Sequence, residues 1–199
     1  MSDDADHAAK MARIKAARDR MMATKTTGHG LVIVHTGKGK GKSSSAFGMV
    51  MRCLGHEIPV GIVQFIKGAW TTGEAQFLAR FPELVTIRTM GEGFSWETQD
   101  KARDIAAAER AWAVAAEMLA DPGYGMVVLD EINVALRYEQ LRLEPVLAAL
   151  AGRPKLQHVV LTGRNAPDAL IEAADLVTDM TLVKHPFRAG IKAQAGVEF

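Results

Sequence analysis

The sequence predicts an α/β fold, a mostly parallel sheet flanked by helices, with a helical arm in front of it. Three observations predict this. Short β-branched apolar runs alternate with helical patterns from Leu31 onward. Most of these runs are apolar on both faces, as strands buried beneath helices must be. The first run, Leu31-Val32-Ile33-Val34, feeds the turn Thr36-Gly37-Lys38-Gly39-Lys40-Gly41-Lys42-Ser43, and a helical pattern follows it.

Residues 5–23 are rich in Ala, Lys, Arg and Met, and Ala9, Met11, Ile14 and Ala17 give a weak apolar stripe. They predict a helix, and Thr24 to Gly30 reads as a linker. The chain therefore divides into an arm over 1–29 and a domain over 30–199. Strands are predicted at Leu31–His35, Val60–Ile66, Val85–Met90, Met126–Leu129, His158–Thr162 and Leu176–Val183. Helices are predicted at 43–54, 74–81, 98–120, 143–151 and 167–174. Within 98–120, Ile105, Trp112, Ala116 and Leu119 recur on one face, and Pro122-Gly123 stops the helix. The closing stretch from His185 to Gly196 is rich in glycine and cations and has no periodicity. An ordered loop over the site and a frayed tail both fit it, and His185 reads as a structural histidine.

At 199 residues the chain is long enough for a sizeable single core, and 48% apolar with 24% charged residues is ordinary for a soluble globular protein. A formal net charge of +1 supplies no global field for nucleic acid or an anionic membrane. No apolar run approaches the roughly 18 residues that a membrane span needs. Met1-Ser2-Asp3-Asp4 is acidic and lacks the apolar core of a signal peptide. The lone Cys53 excludes an internal disulfide and any multi-cysteine metal site. It lies in an apolar helical stretch, so a buried thiol is expected, and the cytoplasm is the expected compartment.

The glycine- and lysine-rich turn reads as a triphosphate site. Glycines let successive N–H groups point inward, and the helix N-terminus adds positive potential. Lys42 would reach phosphate oxygens and the Ser43 hydroxyl would sit on a magnesium ion. The common pattern places glycine where this chain has Thr36, and a solvated basic turn is the plain alternative. Met126-Val127-Val128-Leu129-Asp130-Glu131 is an apolar strand ending in two acids. A carboxylate at such a strand end helps hold magnesium, directly or through water. Arg164, after Val159–Gly163, reads equally as a bidentate phosphate contact and as a surface salt bridge. Gly91-Glu92-Gly93-Phe94-Ser95-Trp96-Glu97 reads equally as a mobile loop offering two aromatics and as an anchor on the core.

With these residues in view, the chain resembles the phosphate-loop type of ATP:corrinoid adenosyltransferase of the bacterial cobalamin pathway. The resemblance covers roughly residues 30–199. Its markers are the loop at 36–43, Val-Gly-Ile-Val-Gln-Phe-Ile-Lys-Gly at 60–68 and Gly-Phe-Ser-Trp-Glu-Thr-Gln at 93–99. Val-Val-Leu-Asp-Glu at 127–131, Leu-Thr-Gly-Arg at 161–164 and Val-Lys-His-Pro-Phe at 183–187 follow in the same order. The family's loop also begins Thr-Gly, so Thr36 belongs to the match, whereas better-known members carry asparagine in place of Lys38. Ser43 replaces a common threonine and keeps the hydroxyl.

The resemblance implies a RecA-like phosphate-loop NTPase architecture and an unusual reaction. Cobalt(I) of a reduced corrinoid attacks the 5′-carbon of ATP and the whole triphosphate leaves. It implies that Thr36, Gly37, Lys38, Gly39, Lys40, Gly41 and Lys42 hold the triphosphate. Ser43 and Glu131 would hold magnesium or manganese, with Asp130 nearby, and Arg52 and Arg164 would be further nucleotide contacts. It implies that Phe94 and Trp96 close the lower face of the corrinoid. It also implies a homodimer and a flavodoxin-like reductant as partner. Two other functions stay open: a RecA-like or kinase-like ATPase acting at the γ-phosphate, and a non-catalytic carrier of nucleotide or corrinoid.

Overall fold

The computed structural model describes residues 2–66, 72–90 and 100–198. Among them every predicted strand forms: β1 (Val32–Thr36), β2 (Val60–Gln64), β3 (Val85–Thr89), β4 (Met126–Asp130), β5 (His158–Thr162) and β6 (Leu176–Asp179). They make one six-stranded sheet in the order β3-β2-β4-β5-β1-β6. Each neighbouring pair is parallel. Strands β1, β2 and β4 are buried along their whole length, which is why their sequences do not alternate.

The described helices are α1 (Ser2–Ala23), α2 (Lys42–Gly55), α3 (Gly73–Leu78), α4 (Lys101–Ala120), α5 (Ile132–Arg137), α6 (Leu143–Gly152) and α7 (Asp168–Ala173). Successive strand side chains point to opposite faces, and they feed two cores. Ile33, Ile62, Val128 and Val160 pack with Phe47 and Val50 of α2 and with Leu78 of α3. Val34, Val63, Leu129 and Leu161 pack with Ala111 of α4, Ile132 of α5, Val146 of α6 and Leu170 of α7. The adjacent strands β1 and β5 therefore send their following helices to opposite faces. That reversal opens a crevice beyond the strands' C-terminal ends, where ligands of open α/β sheets bind.

Cys53 is buried as expected, with its Sγ 3.8 Å from the Met126 Sδ, and burial pushes its thiol pKa up. Three details differ from the sequence reading. The last strand ends at Asp179 instead of running to Val183, because the chain turns there to lie along the loop after β1. It is also exposed throughout, as the outer edge of the sheet. The fully buried face of α4 is the small-residue row Ala107, Ala108, Ala111 and Ala115 with Met118 and Leu119. Ile105, Trp112 and Ala116 are only half-buried, since small residues let the helix lie close to β2. Helix α5 was not predicted, although Ile132, Ala135 and Leu136 carry the spacing of a short buried helix face.

Ile62 is fully buried at the centre of β2. Ile62→Ala is expected to cost about 2–5 kcal/mol in urea unfolding. A loss below about 1 kcal/mol would contradict its place in the core.

Candidate functional site

The loop after β1 is pinned from below. The Thr36 carbonyl accepts from the Met180 N–H at 2.9 Å, and the Gly39 N–H donates to the Met180 carbonyl at 2.6 Å. A Cβ on residue 39 would stand 2.6 Å from the Met180 carbonyl oxygen and 2.7 Å from that of Thr181. Backbone rests on backbone there, so only glycine fits. Thr36 has a job that the common glycine lacks: its Oγ1 accepts from the Ala166 N–H at 3.0 Å, tying the loop to the connection between β5 and α7.

The loop ends at Gly41, the residue that caps α2, and no side chain caps that helix. A helix N-terminus without a side-chain cap suits an anion, and Lys42 and Ser43 stand in its first turn. Lys42 is only 6% exposed, and its Nζ donates to the Gly39 carbonyl at 2.5 Å. Burial pushes its ammonium pKa below the ordinary value. Glu131 opposes that shift, Arg164 and Lys40 add to it, and Asp179 opposes it. Lys42 therefore sits in the field of four other charged groups, and two of them, Arg164 and Lys40, are cations that repel it. Lys40 is paired with the carboxylate of Glu198.

The acid-ended strand behaves as two different residues. Asp130 is 1% exposed, and its two oxygens accept from Gln64 Nε2 at 3.1 Å and Thr162 Oγ1 at 2.8 Å. Glu131 turns the chain in the left-handed region at φ 64°, and its N–H donates to Thr162 Oγ1 at 2.9 Å. Its Oε2 would lie 3.2 Å from a Cβ placed on Gly163, so the glycine after β5 leaves the space that this carboxylate uses.

Residues 28–199 match the protein family described as ATP:corrinoid adenosyltransferase BtuR/CobO/CobP. The chain belongs to this family. Residues 1–22 match a second family, described as the N-terminal part of cob(I)alamin adenosyltransferase. A corrinoid adenosyltransferase of Pseudomonas aeruginosa is 60% identical, with 98% of this chain and 97% of the relative aligned. One from a Sinorhizobium species is 57% identical over 99% of this chain and 93% of the relative. One from Escherichia coli K12 is 42% identical over the full length of both. Membership in the adenosyltransferase family does not favour the γ-phosphate ATPase reading of the loop.

Placed on this adenosyltransferase fold, the predicted residues fall into three groups. Thr36 to Ser43, Asp130, Glu131 and Arg164 gather at the C-terminal ends of β1, β4 and β5. Lys38 is exposed and lines a cleft of about 510 Å³ that Asp179 and Arg188 also border. Arg52 stands apart, in the last turn of α2, about 15 Å along the helix from Lys42. Phe94 and Trp96 lie outside the described residues. Among those described, no three His, Cys, Asp or Glu side chains group to hold a metal by themselves. The donors at hand are a Ser43 hydroxyl and a Glu131 carboxylate. Such hard oxygen donors fit magnesium, which takes one or two carboxylates and completes its shell with phosphate oxygens and water.

Sequence reasoning missed Gln64 and Thr162, the segment Asp179–Thr181, and Glu198. Gln64 and Thr162 did carry a signal, being polar residues at the ends of otherwise apolar strands. It also missed His35, 2% exposed beneath the loop, whose Nε2 lies 3.3 Å from Ser45 Oγ.

Gly39→Ala is expected to cost about 1–3 kcal/mol of stability and to weaken nucleotide binding at least roughly tenfold. Wild-type affinity by calorimetry would contradict the close contact with Met180. Burial lowers the His35 pKa from its ordinary 6.5. The unfolded chain therefore takes up a proton that native His35 refuses, so stability is intact above pH 6.5 and falls as the pH drops toward the folded value. His35→Asn is expected to flatten that acid slope in urea midpoints, and an unchanged slope would contradict the assignment.

Proposed function

We propose that this chain transfers the 5′-deoxyadenosyl group of ATP to cobalt(I) of a reduced corrinoid, releasing intact triphosphate. The observation that carries the reading is the buried Lys42, set among Lys40, Arg164 and Glu131 at an uncapped helix N-terminus, in a chain of this family. Cobalt(I) supplies the electron pair for the new cobalt–carbon bond. The bond from C5′ to oxygen breaks, and its pair leaves with the triphosphate. Negative charge therefore grows on the leaving group, which is where the loop N–H groups, Lys40, Lys42 and Arg164 would act. Lys38 would extend this positive lining along its cleft. No general base is required, because the nucleophile is a metal centre that carries no proton.

Magnesium or manganese held by Ser43 and Glu131 would offset the charge of the bound triphosphate. Asp130, with both oxygens already accepting from protein donors, would act through water or through its neighbours. Arg52 is the outlying member, and would meet only a part of the substrates that extends beyond the triphosphate. Phe94 and Trp96 would close the lower corrinoid face, since axial ligation and surrounding polarity set the potential of a macrocycle-bound metal. The same reading includes a homodimer, a flavodoxin-like reductant and a cytoplasmic setting. It also includes the division into an arm over 1–29 and a domain over 30–199. The exposure of α1 at residues 4 and 6–23 supports that division, and no described helix is long and apolar enough to cross a membrane.

Incubation with ATP, magnesium and chemically reduced corrinoid is expected to yield a light-sensitive alkylcobalt spectrum, and its absence would refute the proposal. Lys42→Ala is expected to lower kcat/KM for ATP by roughly 10²–10³. Unchanged turnover at limiting ATP would remove Lys42 from the clamp.

A further inference from the structure

One hydrogen-bonded chain crosses four strands at the edge of the sheet that carries the site. Thr89 Oγ1 on β3 donates to Gln64 Oε1 on β2 at 2.9 Å. Gln64 Nε2 donates to Asp130 Oδ2 on β4 at 3.1 Å. Thr162 Oγ1 on β5 donates to Asp130 Oδ1 at 2.8 Å and accepts from the Glu131 N–H at 2.9 Å. A carboxylate only accepts, so the Gln64 amide must turn its N–H₂ toward Asp130, and its oxygen is left for the Thr89 hydroxyl. Gln64, Asp130 and Thr162 are 3%, 1% and 0% exposed. Polar groups buried this deeply are tolerable only when mutually satisfied, and apolar residues would fill the same strand ends at less cost.

The chain ends on a strained residue. Glu131 is neither glycine nor asparagine, yet it holds φ 64°, a conformation that persists only when its surroundings impose it. The Thr162 hydroxyl grips its N–H, and Asp130 orients that hydroxyl. The outcome is a carboxylate held beside Gly163, within the electrostatic reach of Lys42.

We propose that Gln64 and Thr162 are positioning residues for Glu131, and that through Asp130 they set how tightly the site takes the magnesium complex of a nucleoside triphosphate. The inference rests on the triphosphate part of the proposed function and not on the corrinoid part, so its test uses no corrinoid. Magnesium is titrated against ATP binding by calorimetry, beside thermal melts. Thr162→Val and Gln64→Met keep the shape and remove the hydrogen bonds. Each is expected to raise the magnesium needed for half-maximal ATP binding by roughly tenfold or more, the usual effect of losing a group that orients a metal ligand. Binding should return at saturating magnesium, and Thr162→Ser should stay within about threefold of wild type. A purely structural role would lower the melting point of Thr162→Val and Gln64→Met and leave the magnesium requirement unshifted, which would overturn the inference alone. Wild-type protein that binds no ATP with magnesium would overturn it together with the triphosphate reading. If Thr162→Val does not fold, Thr89→Val at the exposed end replaces it. A shift of roughly threefold is expected there, and none would overturn the inference.

Discussion

The contact between Gly39 and Met180 governs the end of the sheet where the site lies. A loop that donates to the Met180 carbonyl at 2.6 Å cannot carry a side chain at that point. The contact also explains why the chain leaves the sheet after Asp179. Had β6 continued as an ordinary edge strand, the loop would have had nothing beneath it. Thr36 adds the lateral tie to Ala166, and between them these bonds hold the loop's shape. A preshaped anion site need not be reorganised when charge develops on what it holds.

The electrostatics point the same way. Lys42 is buried with two other cations in range, and its lowered pKa reports an environment that disfavours the charged form. Glu131 offsets only part of this. A triphosphate entering the loop would reverse the balance, because its charge favours the protonated ammonium. The Glu198 carboxylate stands by Lys40, where a phosphate oxygen would compete with it. A site arranged in this way gains most where negative charge is greatest. For a departing triphosphate, that is after the C5′–oxygen bond has begun to break.

Much of this was legible in the sequence because it is local. The strand–glycine-loop–helix succession marks the proposed anion site, and the apolar run ending in Asp130-Glu131 marks the strand end beside it. Parallel pairing followed from strands without alternation, since only sheets covered on both faces permit them. What was illegible depended on distant partners. Nothing near Thr36 shows that its hydroxyl meets Ala166, and nothing near Met180 shows that it supports Gly39. The role of Asp130 emerges only when Gln64 and Thr162, far away in sequence, bring donors to its two oxygens. Helix α5 was hidden differently: it has six residues, too few for periodicity to stand out after a strand. On α4, bulky Ile105 and Trp112 suggested the buried face, while close packing on the sheet selected the alanines.

In the proposed reaction the loop holds a leaving group and not a γ-phosphoryl donor. Phosphorus NMR of a turnover mixture, with alkylcobalt quantified in the same tube, tests it most directly. One intact triphosphate is expected for each cobalt–carbon bond formed. Orthophosphate or diphosphate accumulating in step with ATP loss, with no matching alkylcobalt, would contradict it.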